Sequence, residues 1–414
     1  MPASTHRTLA DVQQAARAAH REHFSSTPSM WAAAPASWFA IGEHTDAAGG
    51  VVVCGLTECG VAVAVTPRSD QVVNVVYVDA SGAETVSQAS LAEEQPFGVA
   101  APTYAGEAAL DCARRIAGLV STATGRQLIA RQIRGADVTV VCDIPAGVGL
   151  GERASVECAV LLAMAMSTKD RDEAPIRARL VEVAVSAAAS YSPEPPVRAR
   201  YTAIMRGAPG SLQVIDYHDG SLTHTPHLVD AGCVPFLLAL PDAASSQVDV
   251  AELRQRVSFV QDASKAFGVE SLRHLPDASP RVTAWLAAMH GAQRGNGLPS
   301  ADKANAWLDF FEVETTYATD FVSSIRSRRH NAAVTNIDRS REATAGALGL
   351  ASQVSSLAEL ARQWGADAAR PAAAGLCSAV IGYAPASTVE DLSQRAQEHN
   401  LRFIVLSPGS TVAG

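Results

Sequence analysis

The chain has 414 residues, 48% apolar and 18% charged, which suits a folded protein with a sizeable core and room for two or three domains. Its net charge of -9 argues against a phosphate-backbone partner, so no nucleic acid is expected. The seven cysteines are odd in number and include no Cys-x-x-Cys pair, which points to buried thiols in a reducing compartment rather than disulfides or a zinc site.

Residues 1–20 lack the apolar stretch of a signal peptide, and no apolar run is long enough to span a bilayer. A cytoplasmic protein with no membrane partner is expected. Residues 8–24 read as an amphipathic helix. Residues 30–42 and 50–70 read as strands separated by a polar segment, with another strand at 71–80. A helix over 107–125 closes at Gly125. A strand then runs to Ile144, followed by a glycine-rich loop and a buried helix from near Ala154. An alanine-rich helix at 175–191 precedes the proline-rich stretch 193–196. That stretch breaks regular structure and is the best domain boundary. Residues 211–224 read as a strand, a turn at Asp219-Gly220 and a second strand. A strand at 233–241 follows, then helices at 250–267, 281–290, 301–329 and 338–363. Strands at 376–385 and 401–408 flank a helix at 388–399. The mixture predicts an α+β chain in two lobes, 1–200 and 201–414. The basic run 326–329 reads as a solvated helix face.

Two segments concentrate chemistry. "GEHTD" at 42–46 sets Glu43, His44 and Asp46 together at a strand end. Carboxylates and an imidazole so placed can bond vicinal hydroxyls, or can simply cap a turn. "PAGVGLGER" at 145–153 places Gly147, Gly149 and Gly151 between a strand and a helix N-terminus. Such a loop cradles phosphate with backbone N–H groups, although glycine turns also form for steric reasons alone. His218, His224 and His227 with Asp216 and Asp219 lie across a strand and turn, and are read as surface residues rather than a metal cluster. Cys377 is read as a buried filler, and Trp31 and Trp38 as core.

The segments "APASWFAIGEHTDAAGG" and "DIPAGVGLGERASVECAV" resemble the first two signature motifs of the galactokinase branch of the GHMP kinase superfamily. "VTPRSD", "SLQVIDY", "AFGVESLR", "SRRHNAAVTNIDR" and "RPAAAGLCSAVIGY" continue the resemblance in order. It implies the two-lobed GHMP fold, with an N-terminal domain like ribosomal protein S5 domain 2 and a ferredoxin-like C-terminal domain. It also implies sugar contacts at Glu43, His44 and Asp46, a phosphate loop at Gly147, Gly149, Gly151 and Arg153, and ATP with magnesium if phosphoryl transfer survives.

The chain departs from that pattern where the family does its chemistry. The family's arginine beside the nucleophilic hydroxyl falls on Ser37. Its magnesium ligands fall on Arg153 and Ala188, its catalytic aspartate on Arg200, and its sugar-contacting Tyr-Asn pair on Leu253-Arg254. The glycine-rich third motif becomes residues 373–378. Losing both metal ligands should remove the metal, and a guanidinium cannot act as a general base near neutral pH. Glu152 adds negative charge at the helix end meant for phosphate. The expected protein is therefore a sugar-binding sensor, regulator or partner subunit with transfer lost or severely impaired. Two alternatives stand beside it. One is an active kinase using displaced carboxylates, Asp216 or Glu194. The other is a metal-free clamp for a sugar phosphate between Arg153 and Arg200, set against the plainer pairing of Arg153 with Glu152 or Glu157 and of Arg200 with Glu194.

Overall fold

The computed structural model describes residues 7–91, 108–165, 172–192, 194–241, 250–348, 352–375 and 377–409. The first layer opens with α1 (Leu9–Phe24), whose Thr8 and Asp11 form a reciprocal capping box. The hairpin of β1 (Met30–Ile41) and β2 (Val51–Arg68) follows, then β3 (Val72–Val78) and β4 (Glu84–Ser90). α2 (Ala108–Gly125) leads into β5 (Gly135–Cys142), α3 (Glu152–Met164), α4 (Ala174–Tyr191) and α5 (Arg198–Arg206). β6 (Ser211–Asp216) and β7 (Ser221–Pro226) complete a seven-stranded sheet in the order β4-β3-β5-β2-β6-β7, with β1 also paired to β2. α3 is buried on every side from Ala154 to Met164, as its largely apolar sequence demands, and its one buried acid, Glu157, pairs with Arg115 and accepts from the Tyr201 hydroxyl.

The second layer begins with β8 (Cys233–Ala239). A helical block follows: α6 (Val250–Phe267), α7 (Ala278–Gly291), α8 (Ala301–Arg326), α9 (His330–Leu348) and α10 (Ser352–Gln363). β9 (Ala368–Pro371), β10 (Ala379–Pro385), α11 (Val389–Glu398) and β11 (Arg402–Val405) close the fold. The four strands form a sheet in the order β11-β8-β10-β9, with every neighbour antiparallel. That is the expected ferredoxin-like pattern, with the helical block set into its first crossover. Phe259, Trp307 and Phe311 give the block its own core, which reaches across to Ala48 of the first layer.

Several expectations need correction. Residues 198–206 form α5, although the preceding prolines suggested broken structure; Pro193 lies outside the described residues. The segment 338–363 is two helices, and α9 starts earlier, at His330. β4 and β9 escaped sequence reading: β4 is mostly exposed and β9 is only four residues long. The boundary expected at residue 200 falls inside α5, and β6 and β7 beyond it join the first sheet.

Candidate functional site

The GEHTD turn links β1 to β2, and its geometry is forced. Gly42 sits at φ +84°, where an added Cβ would lie 2.0 Å from the Val51 carbonyl oxygen. Only glycine fits such a position. The Thr45 hydroxyl donates to the Gly42 carbonyl at 2.8 Å. His44 also has positive φ, +64°, an uncommon state for a residue with a side chain. The turn is held from the second layer. Glu314 on α8, fully buried, accepts from the Gly42 N–H at 2.9 Å and from the Ser340 hydroxyl at 2.8 Å.

The three turn residues part company. Glu43, 1% exposed, faces inward, 3.5 Å from Arg200 and 4.0 Å from Arg370. Arg370 on β9 in turn lies 3.5 Å from Glu314. Charges thus alternate through the interior: Arg200, Glu43, Arg370, Glu314. His44 and Asp46 instead line an inter-layer cleft of about 1140 Å³, while Glu43 does not. Burial holds the His44 imidazole well below its usual range, and Arg256, Arg200 and Arg370 push the same way, against a hydrogen bond to the Ala373 backbone. Its Nε2 is buried with no partner among the described residues. Asp46 accepts the Arg198 N–H at 2.8 Å, and its carboxyl is raised by burial.

Ser37 and Arg200 meet. The guanidinium donates to the Ser37 carbonyl at 2.6 Å and to its Oγ at 3.3 Å. It also donates to the Gly149 carbonyl at 2.8 Å and lies 4.4 Å over the Phe39 ring. This fork is 8% exposed and occupied by protein acceptors, so its pairing with Glu194 is not observed. Arg153 takes that carboxylate instead, at 3.1 Å, and both side chains are over 40% exposed. A phosphate clamp between Arg153 and Arg200 would require Arg200 to leave Ser37, Gly149 and Glu43.

The glycine loop is exposed at Gly147 and half-buried at Gly149 and Gly151. Gly147, Gly149 and Gly151 all have positive φ, as a tight strand-to-helix turn requires. A Cβ on Gly149 would press on Cys377 Sγ at 2.8 Å and on Ala372 and Ala373, and one on Gly151 would press on Arg200 and Ser37 Oγ. The Glu152 carboxylate is taken by the Tyr77 hydroxyl. Ala188, at the second expected metal position, is buried and carries no oxygen ligand on its side chain. The displaced carboxylates are engaged as well: Asp216 pairs with Arg273, and Glu194 with Arg153.

The lesser candidates behave as expected in part. Cys377 is buried and its thiol is pushed up to about 12 by burial, as suits a filler. Trp38 is core, whereas Trp31 is half-buried beneath Arg17. His227 is buried against Trp38 rather than on the surface, and His218 stacks on His274. Among the described residues no group of three or more His, Cys, Asp or Glu could hold a metal. Sequence reading missed three site residues. Arg256 lies just past the pair Leu253-Arg254, and Arg370 begins the segment RPAAAGLCSAVIGY. Glu314 had no signal, being one acid within a long amphipathic helix.

The chain matches the galactokinase galactose-binding signature over residues 18–67. It is 30% identical over 143 residues to the galactokinase of Chloroflexus aurantiacus, covering 34% of this chain and 33% of the relative. The match therefore spans about a third of that relative's length. The fold aligns with the crystal structure of Lactococcus lactis galactokinase complexed with galactose at a TM-score of 0.73 and 17% identity, over 97% of this chain and 99% of that one. Methanococcus jannaschii mevalonate kinase aligns at a TM-score of 0.58 and 10% identity, over 92% and 98%. At such identities the structural likeness speaks for the fold alone.

Proposed function

Taking as premise a chain related to the galactokinase family and built on the GHMP kinase fold, we propose that it binds a sugar and has lost, or nearly lost, phosphoryl transfer to the sugar 1-hydroxyl. The observation that carries the proposal is Arg200. It stands where the resemblance expects a carboxylate, with its donors on Ser37, Gly149 and Glu43. A positive charge there can orient an oxygen but cannot take its proton. General-base and electrostatic contributions are each worth about 10²–10⁴-fold in rate, so their joint loss brings turnover near background.

The residues present do not fit magnesium, since the two expected ligand positions offer a guanidinium and a methyl group. They fit the phosphates of ATP no better, because the Gly149 carbonyl is turned onto Arg200, Gly149 lies close against Ala372, Ala373 and Cys377, and the Glu152 carboxylate stands at the start of the following helix. The open wall at His44 and Asp46 supports retained recognition of a small sugar, which suits a sensor, a regulatory subunit or a protein partner. No helix among the described residues is long and apolar enough to cross a membrane. The seven cysteines are all buried and none is in a disulfide, which fits a reducing compartment, so the cytoplasm is the proposed location.

The test is a coupled ADP-release assay with galactose and magnesium ATP, run beside a thermal-shift titration with galactose alone. Expected are no galactose-dependent ADP release above background and a galactose-dependent rise in midpoint. Robust turnover would overturn the loss of transfer, and a flat titration with every sugar tried would overturn the binding.

A further inference from the structure

The cleft holds a cation that nothing among the described residues neutralises at contact distance. Arg256, on α6, is 5% exposed and lines the same cavity as His44 and Asp46. It makes no hydrogen bond or ion pair with any described residue. Glu252, Asp46 and Glu43 act on it only at longer range. Their own partners are nearer: Glu252 is 2.9 Å from Lys303, Asp46 accepts from the Arg198 backbone, and Glu43 lies between Arg200 and Arg370. Arg198, also on the cleft wall, is joined to Glu182. Arg254 is half-buried, and the acids Asp262 and Glu270 are exposed at the rim.

A buried guanidinium without a partner costs several kcal/mol in most proteins, so it persists where something else compensates it. The same cavity is lined by His44, whose Nε2 is buried without a partner among the described residues and on whose ring Arg256 exerts the largest charge effect. A neutral imidazole with one nitrogen engaged presents a lone pair on the other, which accepts from a hydroxyl. The two groups make complementary demands on one ligand: a hydroxyl for His44 and an anion for Arg256.

We propose that the ligand of this cleft is a monosaccharide carrying an anionic substituent, a carboxylate or a phosphate, with a ring hydroxyl donating to His44 Nε2 and the anion received by Arg256. This rests on the sugar-binding reading above and goes beyond it by naming the substrate class. It also moves the anion site away from Arg153 and Arg200. The carboxylate and phosphate forms share the guanidinium chemistry, and the probes separate them.

The experiment is calorimetric titration of the full-length protein with D-galactose, D-galacturonate, galactose 1-phosphate and galactose 6-phosphate, with inorganic phosphate as the bare-anion control. At least one anionic sugar should bind about tenfold or more tightly than galactose, the worth of one charge-assisted contact. Raising ionic strength should erode that preference. Arg256→Gln should bring the ratio close to one, and Arg256→Lys should retain part of it. Galactose binding as tightly as every anionic sugar, or a preference unchanged in Arg256→Gln, would overturn the inference while leaving sugar binding intact. Inorganic phosphate matching the best sugar would also overturn it. No sugar binding at all would overturn both readings. Should Arg256→Gln fail to fold, the salt dependence of the native protein still decides.

Discussion

Three imidazoles carry the acid sensitivity of this protein. His20 is wedged between the Thr66 and Thr139 hydroxyls, at 2.8 and 3.1 Å. His227 sits against Trp38, and His44 in the GEHTD turn. Burial lowers all three, and His227 reaches about 4 from an ordinary value of 6.5. A lowered folded-state value means that the unfolded chain binds the proton first. Stability is therefore full above about pH 6.5 and declines as the pH falls toward the folded values. Asp46, raised by burial, contributes in the opposite sense nearer its own range. Between pH 7 and 5 each such imidazole removes about 2 kcal/mol at most. The thermal midpoint should fall clearly over that interval, and His227→Asn should flatten the slope. A midpoint constant from pH 7 to 5 would contradict this account.

Among elements, the first turn of α5 matters most. Arg200 ties it to β1 through Ser37, to the loop before α3 through Gly149, and to the GEHTD turn through Glu43. Arg200→Ala leaves two carbonyls and a carboxylate to fend for themselves in the interior, a loss of about 3–5 kcal/mol. Arg200→Lys should recover little, because an ammonium cannot span that fork. Thermal denaturation checks both, and a lysine variant as stable as the native chain would sink the argument. This element also shows where sequence reading stops. The Pro195-Pro196 pair signals a break, and proline does end α4's territory, yet it equally precedes a helix whose N-terminus lies just beyond. The strands were legible because β-branched residues alternate along β2 and β3 and because β8 is uniformly apolar. β9 was not, since four residues carry no period. In the site, the glycine positions and the Ser37–Arg200 correspondence could be read from motif spacing. The inward turn of Glu43, and the arrival of Glu314 and Arg370 beneath it, depend on contacts between residues hundreds of positions apart.

At the scale of the whole molecule, the GEHTD turn belongs to the first layer but is fixed by the second. Glu314 reaches the Gly42 N–H from α8, and Arg370 lies beside Glu43 from β9. Glu314→Ala should therefore do two things at once. It should lower stability by about 3–5 kcal/mol, the cost of taking from the buried Arg370 its nearer carboxylate and from the Gly42 N–H and Ser340 hydroxyl their acceptor. It should also abolish any ligand-induced rise in midpoint, since His44 and Asp46 follow the turn. A variant that loses stability yet keeps a full ligand response would separate the two and count against this coupling.

The four-stranded sheet has one more consequence. β8 is buried along its whole length, but its partners β10 and β11 arrive only after the entire helical block. On a ribosome moving at about 5–20 residues per second, on the order of ten seconds pass with Phe236, Leu237 and Leu238 synthesised and their neighbours still unmade. The nascent chain is thus committed to a wait with a bare, sticky ribbon near its middle, and truncation between residues 240 and 378, which keeps β8 but removes β10 and β11, should yield aggregates rather than a soluble fragment.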